Sequence, residues 1–392
     1  MYALDGITVL ALESGISAPL CTRMLGDLGA DVVKIERPDV GDVNRHWDTA
    51  IDGKSSAHVW VNRNKESLEL DLKSEEGREV FMDLAELADV VVQNFSPGVV
   101  ERLGIDYESV RDVNEDIIYL NISGYGRSGP YEDRKAYDLV MQGETGLILM
   151  TGPPDSPSKI PLSVCDINAA MYGTIGTLTS LFHRETTGEG QELDVTMFGG
   201  KLSWLGYFPL KYMHNGEIPE RVGMRHHLLV PYGPHETADD QYINFAVLSE
   251  AHWETFCEDV IRQPDLLDDE RFETNEKRVE HRETLEPLLN EIIASEPRDV
   301  WAERLDDAGL PWGDVNQIDE VIDHPQTEHL GMIRELDTDE GPIQIVDNPI
   351  DMGTLEVRQD PMPDLGEHSE AVLSRLGYSA AEIEALEDDG II

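Results

Sequence analysis

The chain of 392 residues carries 30 basic and 79 acidic side chains, a formal charge of −49, and 40% of its residues are hydrophobic. That balance excludes wholesale disorder and disfavours nucleic acid or an anionic membrane surface as partner, since both demand a basic face. No apolar run reaches the ~18 residues of a membrane span, and Cys21, Cys165 and Cys257 are too far apart for a zinc pattern or disulfide framework, so a cytoplasmic, reducing setting is expected. Nine lysines stand against twenty-one arginines, and the acids are spread along the whole chain. Such a surface repels itself in dilute salt, whereas about 1 M salt shortens the screening length to roughly 3 Å, so a high-salt cytoplasm is the natural setting.

In chain order, Ile7–Leu12 (ITVLAL) reads as a buried strand. Pro19 then opens a helix with Leu20, Met24 and Leu28 on one face and Gly29 at its end. Asp31–Glu36 (DVVKIE) is the next strand. Ser74 caps a helix that carries Glu75 and Glu76 in its first turn and runs to about Ala88. Asp89–Gln93 and Ile117–Ile122 are further strands. This alternation implies a mainly parallel, Rossmann-like α/β sheet covered on both faces, with ligands gathering beyond the carboxyl ends of its strands. Those ends are Glu13–Ala18, Arg37–Asp42, Asn94–Gly98 and Ser123–Gly129. From Asp166 to Phe182 the pattern is helical and rich in small residues. Phe208–Pro234 reads as irregular, Trp253–Arg304 as amphipathic helix, and Ser379–Glu387 as a capped terminal helix. The expected organisation is a large α/β domain over residues 1–205, a linker over 206–225, a smaller α+β domain over 226–325, and a segment 326–392 returning to the large domain.

Gly124-Tyr-Gly-Arg-Ser-Gly129 matches a dinucleotide fingerprint literally, but Pro130-Tyr-Glu-Asp-Arg-Lys follows without helical period, so a tight loop is expected there. No HExxH, GxSxG, Walker loop or CxxC is present, and no metal site is expected. Arg37, Lys73, Arg102 and Lys135 lie near strand ends, where they either pair with surface acids or form a local pocket for an anion. Asp166, just before the small-residue helix, is either its cap or a carboxylate nucleophile.

Together these segments resemble the class III CoA-transferase family, the formyl-CoA and carnitine CoA-transferase type. The resemblance is carried by Leu4–Leu10 (LDGITVL), Ala18–Pro38 (APLCTRMLGDLGADVVKIERP), Gly41-Asp42, Asn62–Lys73 (NRNKESLELDLK), Ala88–Gly98 (ADVVVQNFSPG), Gly124-Tyr-Gly126, Leu365-Gly-Glu-His368 and Leu376-Gly-Tyr378. It implies that Asp166 is the nucleophile that becomes an aspartyl-CoA thioester, and that Asp138 is an acid beside it. It further implies CoA contacts at Gly15, Ile16, Ser17, Arg37, Leu70, Lys73, Asn94, Phe95, Arg102, Leu103, Lys135 and Tyr137. CoA thioesters and small carboxylic acids would be the substrates, with no tightly bound cofactor, and the chain would form an interlocked homodimer. Ile16 stands where formyl-CoA transferases often carry glutamine, and their run of glycines is missing, which points away from formyl or oxalyl transfer. A haloarchaeal succinyl-CoA:mesaconate type of transfer is the expectation, with Arg225 or His226 meeting the distal carboxylate and Gly223–Gly233 closing the site. An α-methylacyl-CoA racemase-like isomerase shares the resemblance but needs a His–Asp proton pair, and Tyr137 stands at the histidine position. A non-catalytic CoA-binding protein would need no Asp166.

Overall fold

The computed structural model describes residues 1–392, arranged as two compact units. The first comprises Met1–Leu147, Ile160–Ile218 and Glu328–Ile392; the second comprises Ile148–Lys159 and Pro219–Thr327. No helix is long and apolar enough to cross a membrane.

Strand and helix alternate through the first unit: β1 (Thr8–Leu12), α1 (Ser17–Asp27), β2 (Asp31–Glu36), α2 (Ser56–Asn62), β3 (Lys65–Glu69), α3 (Glu75–Leu87), β4 (Val90–Gln93), α4 (Val99–Leu103), α5 (Tyr107–Arg111), β5 (Ile118–Ser123), α6 (Asp138–Glu144), then, after the short α7 (Leu147–Met150) that leads into the second unit's segment Ile148–Lys159, α8 (Val164–Thr187), β6 (Gln191–Thr196), α9 (Met197–Trp204) and α10 (Phe208–Asn215). The six strands form one parallel sheet in the order β3-β2-β1-β4-β5-β6. Val9 pairs with Val32 on one side and Val90 on the other, so the β-branched runs of the central strands stack in register and are buried on both faces. Leu10, Leu12, Val33, Phe81, Val91 and Tyr119 fill one face of the sheet. Val9, Ala11, Cys21, Leu25, Val92, Leu120 and Ala169 fill the other. Small residues let α8 approach closely: a Cβ on Gly173 would stand 3.1 Å from both Cys21 Sγ and Leu120. Chain order reverses between β1 and β4, which puts a topological switch point at their carboxyl ends.

Two strands of the sheet are invisible to hydrophobic pattern. The edge strands β3 (KESLE) and β6 (QELDVT) are polar, and backbone pairing holds them where one side faces no neighbour. Residues Phe208–Asn215, expected to be irregular, are helical because the breakers fall outside the turn: Pro209 occupies the first turn and Gly216 takes the left-handed position after the last.

The second unit is built on a three-stranded antiparallel sheet, β7 (Tyr232–Glu236), β8 (Tyr242–Ala246) and β9 (Trp312–Asp314). Its helices are α11 (Glu250–Thr255), α12 (Asn275–Glu280), α13 (Arg282–Ile293), α14 (Arg298–Asp307) and α15 (Ile318–Ile322). Phe245, Trp253, Phe256, Leu285, Leu289 and Trp301 form its core. The chain continues through α16 (Pro325–Leu330) into the first unit's hairpin β10 (Ile333–Thr338) and β11 (Gly341–Val346), then α17 (Ser369–Leu376) and α18 (Ala380–Asp388). Val372, Leu373 and Ile383 of the last two helices join the core over β1–β4, and Ser379 caps α18 through a reciprocal bond pair with Glu382.

Candidate active site

The switch point is occupied by the loop that follows β1. Gly15 sits at φ +77°, a left-handed conformation that favours glycine. Asp42 Oδ1 accepts from the Ser14 hydroxyl and from the Gly15 amide, both at 2.9 Å, and Asn44 Nδ2 donates to the Gly15 carbonyl at 2.9 Å. Asn94, just past β4, accepts from the Ser14 amide at 2.9 Å and donates to the Ser14 carbonyl at 2.8 Å and the Ser17 hydroxyl at 3.2 Å. Adjacent parallel strands thus lock one loop in one conformation.

Beneath the loop lies a buried ion network. Lys34 Nζ donates to Asp42 at 2.7 Å and to Asn62 at 2.9 Å. Lys65 Nζ reaches Glu13 at 2.6 Å and the Pro19 carbonyl at 2.8 Å, and Thr22 donates to the other Glu13 oxygen at 2.6 Å. Burial works against the charge on Lys34, but Glu13 and Asp42 outweigh it and hold its pKa above the ordinary lysine value. Burial likewise raises Asp42, and Lys34 more than compensates, leaving its carboxyl below the usual range. Each charge is satisfied by several partners, the condition under which buried ions are tolerated.

Asp166 is the third residue of α8, in its first turn after the cap position at Ser163, so it is not the cap. The capping job falls to Asp138, at the start of α6, whose Oδ1 accepts from the Cys165 amide at 2.8 Å. Its Oδ2 accepts from Gln142 Nε2 at 2.6 Å, and Gln142 is itself buried and bonded to both backbone groups of Ile160. Burial, reinforced by the charge of Asp138, pushes the Asp166 carboxyl from the ordinary 3.8 up to about 7, while a hydrogen bond from the Ser17 hydroxyl pulls the other way. A carboxylate so placed is poorly solvated, and the positive end of α8 favours its ionised form, a combination suited to attack on an electrophilic carbonyl.

The residues expected from the sequence divide into groups. Gly15, Ser17, Asn94, Asp138 and Asp166 are joined by the contacts above, and Ile16 is buried in the same loop. Leu70, Phe95 and Leu103 share the apolar cluster on the other side of the sheet. Arg37, Lys73, Arg102 and Lys135 are exposed and make no ion pair, although most basic side chains of the chain do, so their charge is free to meet an anion. The Arg102 guanidinium lies over Gly98, where a Cβ would come within 2.8 Å of it. Tyr137 is exposed just before α6. Gly124–Gly129 is the expected loop, and Gly124 is needed there because a Cβ would stand 2.1 Å from the Ala136 Cβ.

Arg225 and His226 belong to the second unit. Arg225 Nη1 is bound to Glu283 at 2.8 Å and to Glu286 at 2.7 Å, and its Nε donates to the Val222 carbonyl, so its charge is neutralised by its own unit. His226 stacks on Tyr232, and burial lowers its pKa, with the charges of His227 and Arg282 adding to the effect. Neither is the free cation expected for a substrate carboxylate.

Sequence reasoning gave no site role to Asp42 and Lys34, which it met only as parts of motifs, nor to Asn44, Gln142 and Lys201. For Lys34 and Lys65 a signal existed, namely a lysine within or beside an otherwise apolar strand. Elsewhere in the first unit, a cavity of about 800 Å³ is bordered by acids, among them Asp337, Glu340, Asp360, Asp364 and Glu367, together with Lys54, Lys65, Arg358 and Arg375.

The sequence matches CoA-transferase family III over residues 4–369. It is 34% identical over 384 residues to the succinate–glutarate CoA-transferase of Agrobacterium fabrum, covering 95% of each chain. It is also 34% identical over 402 residues to the succinyl-CoA:mesaconate CoA-transferase of Haloarcula hispanica, covering 99% of this chain and all of that one. Among solved structures, a CAIB/BAIF family protein from Brucella suis superposes with a TM-score of 0.85 at 33% identity, over 96% of this chain and 99% of that one. An α/β fold with a parallel sheet, a carboxylate at its switch point and a family match across nearly the whole length agree: the chain belongs to CoA-transferase family III.

Proposed function

We propose that the protein moves CoA from succinyl-CoA to a small dicarboxylic acid, mesaconate or a close analogue, through an aspartyl-CoA thioester on Asp166. The observation that carries the proposal is the setting of Asp166: in the first turn of α8, desolvated, and bordered by Ser17 and Asp138. Its carboxylate attacks the thioester carbonyl; the C–S bond breaks, a mixed anhydride forms and CoA leaves as thiolate. The thiolate attacks the aspartyl carbonyl of the anhydride, forming the enzyme thioester and releasing succinate. The acceptor carboxylate repeats both steps in reverse, regenerating the Asp166 carboxylate and leaving as the new acyl-CoA.

The remaining residues have roles that follow from their chemistry. Arg37, Lys73, Arg102 and Lys135 meet the phosphates of CoA, because exposed cations without an ion-pair partner in a chain of −49 are free to offer an anion local positive charge. Gly15, Ile16, Ser17, Leu70, Asn94, Phe95, Leu103 and Tyr137 contact the rest of the cofactor arm. Asp138 acts as a positioning residue, since its two oxygens tie α6 to the start of α8. Large exposed apolar side chains on α8, α9 and α10, among them Met171, Ile175, Phe182, Trp204, Leu210 and Met213, support self-association as a homodimer. The acid-rich surface supports work in the cytoplasm of a salt-accumulating cell.

The test is intact-protein mass after brief incubation with succinyl-CoA in about 2–3 M KCl, where surface repulsion is screened, followed by peptide mapping. A CoA-sized adduct on the Asp166 peptide, discharged by mesaconate with formation of mesaconyl-CoA, is the expected result. Discharge by glutarate and not by mesaconate would reassign the acceptor. No adduct with any acyl-CoA would overturn the mechanism.

A further inference from the structure

Lys201, on α9, is 4% exposed, yet its ammonium makes neither an ion pair nor a hydrogen bond. The other buried cations of the molecule all have carboxylate partners: Arg23 and Arg63 pair with Asp27, Lys34 with Asp42, Lys65 with Glu13, and Arg278 with Glu250. In a chain with 79 acidic residues, a mostly buried lysine without a carboxylate partner is conspicuous. Its surroundings are the Trp204 ring, 5.2 Å away, and the neighbourhood of Asp138 and Cys165, which are joined by the bond from the Cys165 amide to Asp138; Cys165 immediately precedes Asp166 in the chain. Helices α6, α8 and α9 pack against one another here. Burial lowers the Lys201 pKa, and Cys165 and Asp138 only partly restore it.

A second unmet group borders the same seam. Asn168, two residues beyond Asp166, is fully buried, and both its amide oxygen and its amide nitrogen lack partners. It abuts the backbone next to Lys201: a Cβ on Gly200 would come within 2.3 Å of Asn168 Oδ1. The seam between α8 and α9 therefore holds one cation and one amide that the chain leaves without a partner, along the helix that carries the proposed nucleophile.

We infer that Lys201 is the receptor for the carboxylate of the free acid substrate, an inference that rests on the CoA-transfer reading of Asp166. The acid must bring an anionic carboxylate up to an anionic neighbourhood before it attacks the aspartyl thioester. A cation within the seam offsets that repulsion, and the arriving carboxylate supplies the partner that Lys201 lacks. The acyl-CoA thioester is neutral at its reacting carbon, so the first half of the reaction has less need of it.

The experiment compares the full-length protein with Lys201→Met and Lys201→Arg in about 2–3 M KCl. Lys201→Met is expected to form the CoA adduct from succinyl-CoA at a near-normal rate, while its KM for mesaconate rises about tenfold or more and its KM for succinyl-CoA changes less than about twofold. Lys201→Arg restores part of the acceptor affinity. The melting temperature of Lys201→Met holds, because the ammonium it removes has no ion-pair or hydrogen-bond partner to lose. Stabilisation of the protein against heat by mesaconate alone gives a readout that needs no covalent step: it is present in the unsubstituted protein and lost in Lys201→Met. An unchanged mesaconate KM and unchanged mesaconate stabilisation in Lys201→Met overturn the inference and leave the Asp166 mechanism standing. A parallel fall in adduct formation, acceptor use and melting temperature overturns it in favour of a packing role. Absence of an adduct in the unsubstituted protein refutes the covalent reading, and mesaconate stabilisation then decides Lys201 by itself.

Discussion

Replacing Asp166 with asparagine should make the protein more stable, and the size of the gain should depend on pH. The carboxyl of Asp166 is lifted from 3.8 to about 7 by burial and by Asp138. An acid whose pKa is raised in the folded state costs stability as pH climbs: the unfolded chain gives up its proton near pH 4, the native site only near neutrality. The penalty therefore starts at the unfolded pKa, grows to the folded pKa and then levels off. At about 1.4 kcal/mol per unit, the full shift sets a ceiling of roughly 4 kcal/mol above pH 7, and roughly 1–2 kcal/mol of it is already present at pH 5. Asp166→Asn removes the ionisable group and keeps its shape, so its stability advantage over the parent should widen by roughly 2–3 kcal/mol between pH 5 and pH 8. Urea midpoints of both proteins at the two pH values, in high salt, measure this difference while titrations common to both cancel. If the advantage stays constant with pH, or if the asparagine protein is the weaker at pH 8, then Asp166 is not held in a desolvated, like-charged setting and the argument for its reactivity loses its physical basis.

Other outcomes follow from the same geometry. Adduct formation from succinyl-CoA should rise through pH 6–8 as Asp166 ionises, and Asp138→Asn, which removes the neighbouring charge, should move that rise to lower pH even though it also slows transfer; a profile that does not move would exclude Asp138 as the source of the shift. Lys34→Met takes away the cation shared by Asp42 and Glu13 and should cost about 3–5 kcal/mol in urea unfolding, with Lys34→Met/Asp42→Asn recovering part of it. Arg102→Ala combined with Lys135→Ala should raise the KM for the acyl-CoA about tenfold or more and leave the KM for the acid within about twofold, because phosphate contacts bind the donor throughout the reaction.

The apolar runs of β1, β2, β4 and β5 and the Ser74 cap are local signals, and each was legible in the sequence because periodicity and capping depend on neighbours a few residues away. The ordered motifs around them carried the family resemblance for the same reason, being contiguous segments whose residue types are constrained by the turns and strand ends they form. Other features depended on partners far along the chain. Polar β3 becomes a strand by pairing with β2, and its Lys65 is buried only because Glu13, 52 residues earlier, lies opposite. Asp166 reads as a helix cap until Asp138, 27 residues before Cys165, is seen to hold the Cys165 amide. Arg225 reads as a free cation until Glu283 and Glu286 fold against it. Lys201 draws no notice in a sequence, because a lysine without a partner is visible only once every candidate partner has a position. Residue identity determined which segments form strands and helices and which chemistry is on offer. The tertiary structure decided which charges are neutralised and which remain available, since ion pairing and desolvation are properties of distance in space and leave no periodic trace along the chain.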